Sequence, residues 1–387
     1  MTGSLADPIR REWDVLVVGA GPAGAMAACL LAREGVAVLL LDKAAFPRWK
    51  VCGCCLNGLA LSTLEAAGLG DLPEQLHAQP LRQFHIATHN GHASVPLPVG
   101  VSLSRETFDA ALIDEAVRAG AVFLPRTSAF VRDEANGLRA VTLMRQGEAA
   151  VVRARVVLVA DGLAGQALKH LSGFDVALSP NSRLGAAAVL EAGQSFYQPG
   201  TIYMACGHGG YVGLVRLEDG RLDVAAALDR TESRLQGGPA HLVARLLNEA
   251  GLPLPEGLPD AAWRGTPALT RRRQRISAER LFVVGDSAGY VEPFTGEGMA
   301  WAMLSASLAV PLARMAVDRW TPELGEQWES RYRRFLRPRQ RVVRAASYVL
   351  KHPRVTEILV QLLTRAPRLA ASVIRTINAP AGHVSGS

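Results

Sequence analysis

Cys52 is the side chain in this sequence with the plainest capacity for proton chemistry. Lys50 stands two residues before it, and a helix is expected to begin shortly after it. A nearby cation and a helix N-terminus both favour the thiolate and lower a thiol's pKa. Lys50 and Cys52 are therefore the candidate catalytic residues; the alternative is that Cys52 is a small residue filling a tight turn. Cys54 and Cys55 crowd beside it, but no second Cys or His pair has the spacing of a zinc site. His89 and His92 flank an Asn90-Gly91 turn and, with His85, read as hairpin residues, so no metal is expected.

Three glycine-bearing motifs carry a second kind of chemistry. In Gly19-Ala20-Gly21-Pro22-Ala23-Gly24, Gly19 permits a tight turn and Gly21 lets backbone approach a pyrophosphate. Gly24 lets the following helix pack close to its strand, and the helix start at Pro22 and Ala23 aims free N–H groups at the phosphates. Asp42, at the end of the next strand, is placed for ribose hydroxyls, and its charge disfavours a ribose phosphate. Asp161-Gly162 ends a second strand, and Arg105 opens a helix from which it could reach a phosphate. Gly285-Asp286 ends a third strand, where the carboxylate suits ribityl hydroxyls. Gly296-Glu297-Gly298-Met299 then opens a long helix whose N–H groups suit the pyrimidine edge of a flavin. The first motif alone indicates a dinucleotide; the three in this order indicate FAD. No second nucleotide motif follows, so NAD(P)H is expected only as a transient electron donor.

These residues need elements to hold them. A β-branched run at residues 14–18, a helix over 22–34 and a strand over 36–41 make a βαβ unit. Helices are expected over 57–67 and, capped by Ser104, from Arg105 to Gly120. Further strands are expected at 121–124, 151–158 and 281–284. The 83–97 hairpin joins strands at 184–190, 201–205, 211–217 and 222–228 in an antiparallel sheet that faces substrate. After Met299 the chain reads as helices broken at Pro311, Pro338, Pro353 and Pro367. The fold class is α/β: a Rossmann-like FAD-binding domain with an inserted antiparallel β-sheet substrate domain and a helical C-terminal region. The FAD-binding parts are assigned to 1–80, 101–180 and 266–320, the substrate parts to 81–100 and 181–265, and the helical region to 321–387.

Five cysteines, odd in number with three adjacent, do not form a disulfide framework, so a reducing, cytoplasmic compartment is expected. The net charge of +7 is densest at Arg271-Arg272-Arg273-Gln274-Arg275 and in the tail. No stacking aromatics interleave with these arginines, so nucleic acid is not an expected partner and a solvated loop is the reading. The uncharged runs at 15–32 and 299–313 contain Gly19, Gly21, Pro22 and Gly24, or Pro311, so neither a transmembrane helix nor a cleaved signal is expected. The tail, with apolar stretches at 355–363 and 369–377, reads as helices packed on the body; the alternative is a peripheral membrane contact or a lid. The sequence leaves the oligomeric state open.

The chain resembles the geranylgeranyl reductase family, within the superfamily of para-hydroxybenzoate hydroxylase and flavin halogenases. The likeness rests on Phe46-Pro47-Arg48-Trp49-Lys50-Val51-Cys52-Gly53, on Ser104-Arg105-Glu106-Thr107-Phe108-Asp109, and on Gly285-Asp286-Ser287-Ala288-Gly289 leading to Pro293-Phe294-Thr295-Gly296-Glu297-Gly298. It implies a cysteine at position 52 beside the isoalloxazine ring, able to donate a proton to a substrate carbanion. Lys43, Arg48 and Gly53 are counted with the cofactor-binding residues. Tyr211, Gly213 and Val215, in Tyr211-Val212-Gly213-Leu214-Val215-Arg216, stand where the family carries a substrate motif with a tryptophan and a phenylalanine that this chain lacks. The expected activity is that of an FAD-dependent oxidoreductase acting on a sizeable apolar or aromatic metabolite. The alternatives are an NAD(P)H-dependent flavin monooxygenase hydroxylating an aromatic ring, a flavin halogenase, and a non-catalytic prenyl-protein escort.

Overall fold

Continuous Val and Leu runs make strands that can be buried on both faces, and these form the first sheet. Trp13–Val18 lies at its centre, parallel to Val38–Leu41 on one side and to Glu148–Val159 on the other. Val122–Leu124 and Leu281–Val283 extend it, again in parallel. Helix Pro22–Arg33 returns the chain between the first two strands and packs against Arg105–Arg118 and the long helix Gly298–Asp318. The computed structural model describes residues 12–365 apart from Ala192, Gln194, Pro293 and Thr295. Pro293 and Thr295 of the 293–298 motif, Pro367 and the stretch 369–377 lie outside the described residues.

The second sheet has seven strands in the order Arg264–Ala268, Leu184–Leu190, Leu222–Leu228, Gly210–Arg216, Thr201–Gly207, Gln83–Thr88, Gly91–Pro96. It contains the expected hairpins, but it is not wholly antiparallel. Thr201–Gly207 runs parallel to Gln83–Thr88. These two strands come from distant parts of the chain, and the long connection permits a parallel pairing that a tight turn could not make.

Four further details depart from the sequence reading. Ser128–Ala135, Leu138–Arg145 and Glu148–Val159 form a three-stranded antiparallel ladder. It turns at Asn136-Gly137 and Gln146-Gly147, all four residues having positive φ. Such paired left-handed residues match the twist of a two-residue hairpin.

Pro311 does not break its helix; Gly298–Asp318 runs through it. The proline ring lies on the exposed face, and Arg331 Nη1 donates to the neighbouring Leu308 carbonyl at 2.9 Å. Pro338 likewise sits in continuous helix. A π-helical turn, Tyr332–Leu336, precedes it and joins Pro322–Arg331 to Arg337–Val349. The wider turn spares the carbonyl that a proline ring would otherwise strike.

The arginine cluster is not a solvated loop. Arg271–Arg273 is a strand, Arg271 Nη1 donates to the Leu163 carbonyl at 2.6 Å, and Arg273 Nε donates to the Ser287 carbonyl at 2.8 Å. A guanidinium with several donors satisfies backbone carbonyls that loops leave unpaired.

Gly298–Asp318 is long and apolar enough to cross a membrane, but 78% of its apolar window is buried inside the protein. The last described helix, Pro353–Arg365, packs on the Gln83–Pro96 hairpin. Thr364 Oγ1 donates to the His92 carbonyl at 2.6 Å, and Asn90 Nδ2 donates to Glu357 at 3.0 Å.

Candidate cofactor and substrate site

The three glycine motifs meet at the C-terminal ends of the parallel strands, where open α/β sheets bind ligands. Gly19 has φ +102°, and a β-carbon there would strike the Ala160 carbonyl. Gly24 faces the Gly19 carbonyl in the same way, which is why the helix can begin so close to the loop. Gly21 is different, because its open face looks into the cavity. A β-carbon on it would stand 3.6 Å from Arg105 Nη2 and 3.7 Å from Arg48 Nη2.

Both arginines are held by one carboxylate. Arg105 forms a bidentate pair with Asp109, Nε to Oδ1 at 2.8 Å and Nη2 to Oδ2 at 2.6 Å, and Arg48 Nη2 lies 3.3 Å from the same Oδ2. Asp109 is fully buried. The sequence reading missed it as a site residue, although its spacing four residues after Arg105 on a helix signals such a pair. Ser104 caps this helix, its Oγ accepting from the Thr107 N–H at 3.2 Å. Two guanidiniums on one close carboxylate, beside a helix N-terminus and a bare glycine, fit a pyrophosphate in charge and shape.

Asp42 lines the cavity while bracing the loop. Its Oδ2 accepts from Ala20 N–H at 2.9 Å and its Oδ1 from Ala44 N–H at 2.8 Å. Lys43 stands exposed beside it. Asp161 also lines the cavity, but its carboxylate is engaged: Oδ1 accepts from Ser287 Oγ at 2.8 Å and Oδ2 from Ala167 N–H at 2.9 Å. Gly285, at φ +61°, has room for no β-carbon against Ala23, and its N–H is held by Ser305 Oγ at 2.7 Å. Asp286 faces the cavity. Burial raises its pKa, opposed by Lys50 and Arg105. Gly296 lies against Cys55, while Gly298 and Met299 bring the long helix's N-terminus to the cavity wall.

One cavity of about 870 Å³ is lined by every sequence-predicted site residue except Gly24 and Gly285, which act in packing beside it. Its second half is apolar, walled by Phe84, Ile86 and Met204 from the second sheet, by Phe294, and by Leu359 and Val360 from the last helix. Tyr211, Gly213 and Val215 share this wall; the Tyr211 ring meets Phe294 edge-on at 5.1 Å. The C-terminal helix as a cavity wall was the alternative rather than the leading reading of the sequence.

Cys52 and Lys50 line the same cavity. The Cys52 thiol is lowered to about 6, first by a hydrogen bond from the Cys54 thiol, with burial opposing and Arg105 assisting. This corrects the cause expected from sequence. The strand Cys55–Asn57 stands between Cys52 and the helix Gly58–Ala66, whose cap is Asn57, so that helix start is turned to its own cap. Lys50 is itself lowered by burial and by Arg105. Cys54 is pushed well up by its bond to Cys52 and by burial, and Cys55 is raised by burial.

A strand–glycine-loop–helix unit with two arginines facing its loop, met by two further passes of the chain, defines a dinucleotide-binding fold. The chain belongs to the FAD binding domain family, which matches residues 12–336. It is 29% identical over 344 residues to digeranylgeranylglycerophospholipid reductase 2 of Methanopyrus kandleri, covering 82% of this chain and 84% of that one. Its fold is similar to that of a geranylgeranyl bacteriochlorophyll reductase-like protein from Thermoplasma acidophilum (TM-score 0.77, 21% identity, 95% of this chain and 96% of that one). It is also similar in fold to the flavin-dependent halogenase CmlS (TM-score 0.72, 22% identity, 86% of this chain). The chain spans 63% of the length of CmlS. It is an FAD-dependent oxidoreductase.

Proposed function

We propose that this enzyme reduces carbon–carbon double bonds in the prenyl chain of a lipid. The observation that carries the reading is the single cavity, which joins an arginine-lined phosphate cradle to an apolar chamber and has Cys52 on its wall. The lipid reductase activity for which the Methanopyrus relative is named supports a prenyl-lipid substrate.

In this reading the first sheet holds the cofactor and the second sheet faces the substrate. Gly19, Gly21, Pro22, Ala23 and Gly24 shape the phosphate loop, and Arg48 and Arg105 neutralise the pyrophosphate. Asp42 and Lys43 serve the ribose end. Gly285 and Asp286 serve the ribityl chain, with Asp161 positioning that segment through Ser287. Gly53, Gly296, Gly298 and Met299 border the ring. FAD, when bound and reduced, supplies the hydride. Tyr211, Gly213 and Val215 hold the prenyl chain, which also displaces water from the chamber. Cys52 Sγ delivers the proton to the second carbon, Arg105 keeps positive charge beside the thiol, and Lys50 lines the cavity next to it.

The same reading assigns a lipid surface to the last helix. Its Leu359 and Val360 line the chamber while Ile358 and Leu362 are exposed, so a substrate could pass from bilayer to cavity along it.

The test is to reduce the bound flavin without air and add either a geranylgeranyl phospholipid or a phenol. Reoxidation by the lipid, with one double bond saturated per flavin, is expected. Reoxidation only on admitting oxygen, with the phenol hydroxylated, would make the enzyme a monooxygenase.

A further inference from the structure

Arg271-Arg272-Arg273 belongs to a dense cationic run of the sequence, and none of the three lines the cofactor cavity. The run is a strand, so Arg271 and Arg273 share one face while Arg272 is exposed on the other. The shared face walls a second, smaller cavity of about 320 Å³. The loop 162–166, Pro267 and Asp286 line both cavities, so the two adjoin.

Each guanidinium carries five N–H donors. Carbonyls take three of them on Arg271, two going to Ala268 and one to Leu163. They take two on Arg273, at Phe174 and Ser287. Both side chains therefore keep donors to spare, and neither forms an ion pair with a carboxylate among the described residues. Burial lowers the pKa of both guanidiniums; Asp286 opposes this for Arg271, and Asp161 and Asp175 oppose it for Arg273, without cancelling it. Neutral carbonyls thus occupy part of the donor set and leave the charge unmatched. An anion in the cavity supplies what is missing.

The wall also indicates which anion. Two planar forks match the several oxygens of a phosphate better than the two of a carboxylate, and the space holds a phosphate with attached atoms. Asp286 is the one acid on this wall, and Lys50 and Arg105 bear on it together with Arg271. Leu163 connects the cavity to the chamber. Its carbonyl accepts from Arg271 Nη1 at 2.6 Å, and its side chain packs against the apolar cluster of Phe84, Ile86 and Met204.

We propose that Arg271 and Arg273 form a second anion site, separate from the cofactor's, that takes the phosphate of a phosphate ester. The ester that fits the adjoining chamber is the substrate's own headgroup, its prenyl chain passing over Leu163. That source rests on the proposed function; the anion site does not.

The test uses flavin-loaded protein, in which FAD occupies the other arginine pair, and needs no variant that could misfold. Phenylglyoxal modifies accessible arginines, and peptide mass spectrometry reads each position. We expect inorganic phosphate to slow the modification of Arg271 and to leave that of Arg272 unchanged. Digeranylgeranylglyceryl phosphate should protect Arg271 at a roughly tenfold lower concentration than inorganic phosphate, and digeranylgeranylglycerol should give no protection. An Arg271 that no phosphate compound protects would overturn the site. Protection by NADPH at a lower concentration than by the lipid phosphate would overturn the headgroup assignment and give the site to an electron donor. If inorganic phosphate protects Arg271 while the prenyl lipid fails to reoxidise the flavin, the anion site stands and the proposed substrate falls.

Discussion

Ser287 Oγ donates to Asp161 Oδ1 at 2.8 Å and accepts from the Gly162 N–H at 2.7 Å, so one hydroxyl fastens the second pass of the chain to the third. Ser287 is buried. Ser287→Ala leaves a carboxylate oxygen and a backbone N–H without that partner. The expected loss is about 1–3 kcal/mol of stability, with weaker flavin retention. Denaturant unfolding of the flavin-loaded variant checks it, and an unchanged midpoint would show that the two passes do not depend on this bond.

Arg48 and Arg105 converge on Gly21, and this predicts an affinity change specific to the phosphate end of the cofactor. Arg48→Ala should cost about 1.5–3 kcal/mol, roughly 10–150-fold in FAD affinity. Riboflavin, which lacks the phosphates, should bind both proteins alike. Titration by flavin fluorescence distinguishes the two results.

Asp109 should behave differently from either arginine. Asp109→Ala strands the buried Arg105 and leaves the half-buried Arg48 only Asp42, at 3.9 Å, a loss on the order of 3–5 kcal/mol, and the variant should unfold at markedly lower denaturant even with excess FAD. Asp109→Asn keeps the shape and should fall between the two.

The lowered Cys52 thiol sets a pH dependence. A depressed folded-state pKa lends stability that is complete above the thiol's ordinary range, near 9, and is lost as pH falls through about 6. Cys52→Ser should therefore flatten the stability profile between pH 6 and 9. Unfolding midpoints across that range measure it; parallel profiles in both proteins would remove the thiolate from the account.

Much of this was legible in the sequence, for identifiable reasons. The run Val15-Leu16-Val17-Val18 followed by Gly19 has few other foldings, and the Asn90-Gly91 and Asp219-Gly220 turns lie at hairpin tips. Asn136-Gly137 carries the same turn signal, between strands Ser128–Ala135 and Leu138–Arg145 that mix charged with apolar residues. What stayed hidden depended on distant partners. Asp223 lies between Leu222 and Val224 and looks like the solvent face of an alternating strand; only the fold shows that it is buried. Arg271 and Arg273 looked solvated because the carbonyls that bind them, on Leu163 and Ser287, belong to other loops. Pro311 looked like a break because sequence does not reveal which helix face meets water.

The exposed side of the last helix gives a prediction about lipid. Ile358→Glu with Leu362→Glu removes two apolar contacts of about 1.5–3 kcal/mol each if fully buried in a bilayer. Co-sedimentation with phosphatidylglycerol vesicles should fall at least tenfold while flavin content stays constant. Equal sedimentation would leave that face without a role in lipid access.

The most direct measurement of the central claim is a crystal structure of the FAD complex. The account predicts the pyrophosphate over Gly21 in contact with both Arg48 and Arg105, and the flavin ring between Cys52 and the Gly296–Gly298 segment. A pyrophosphate bound away from these arginines, or a ring lying outside the cavity that Cys52 lines, would contradict it.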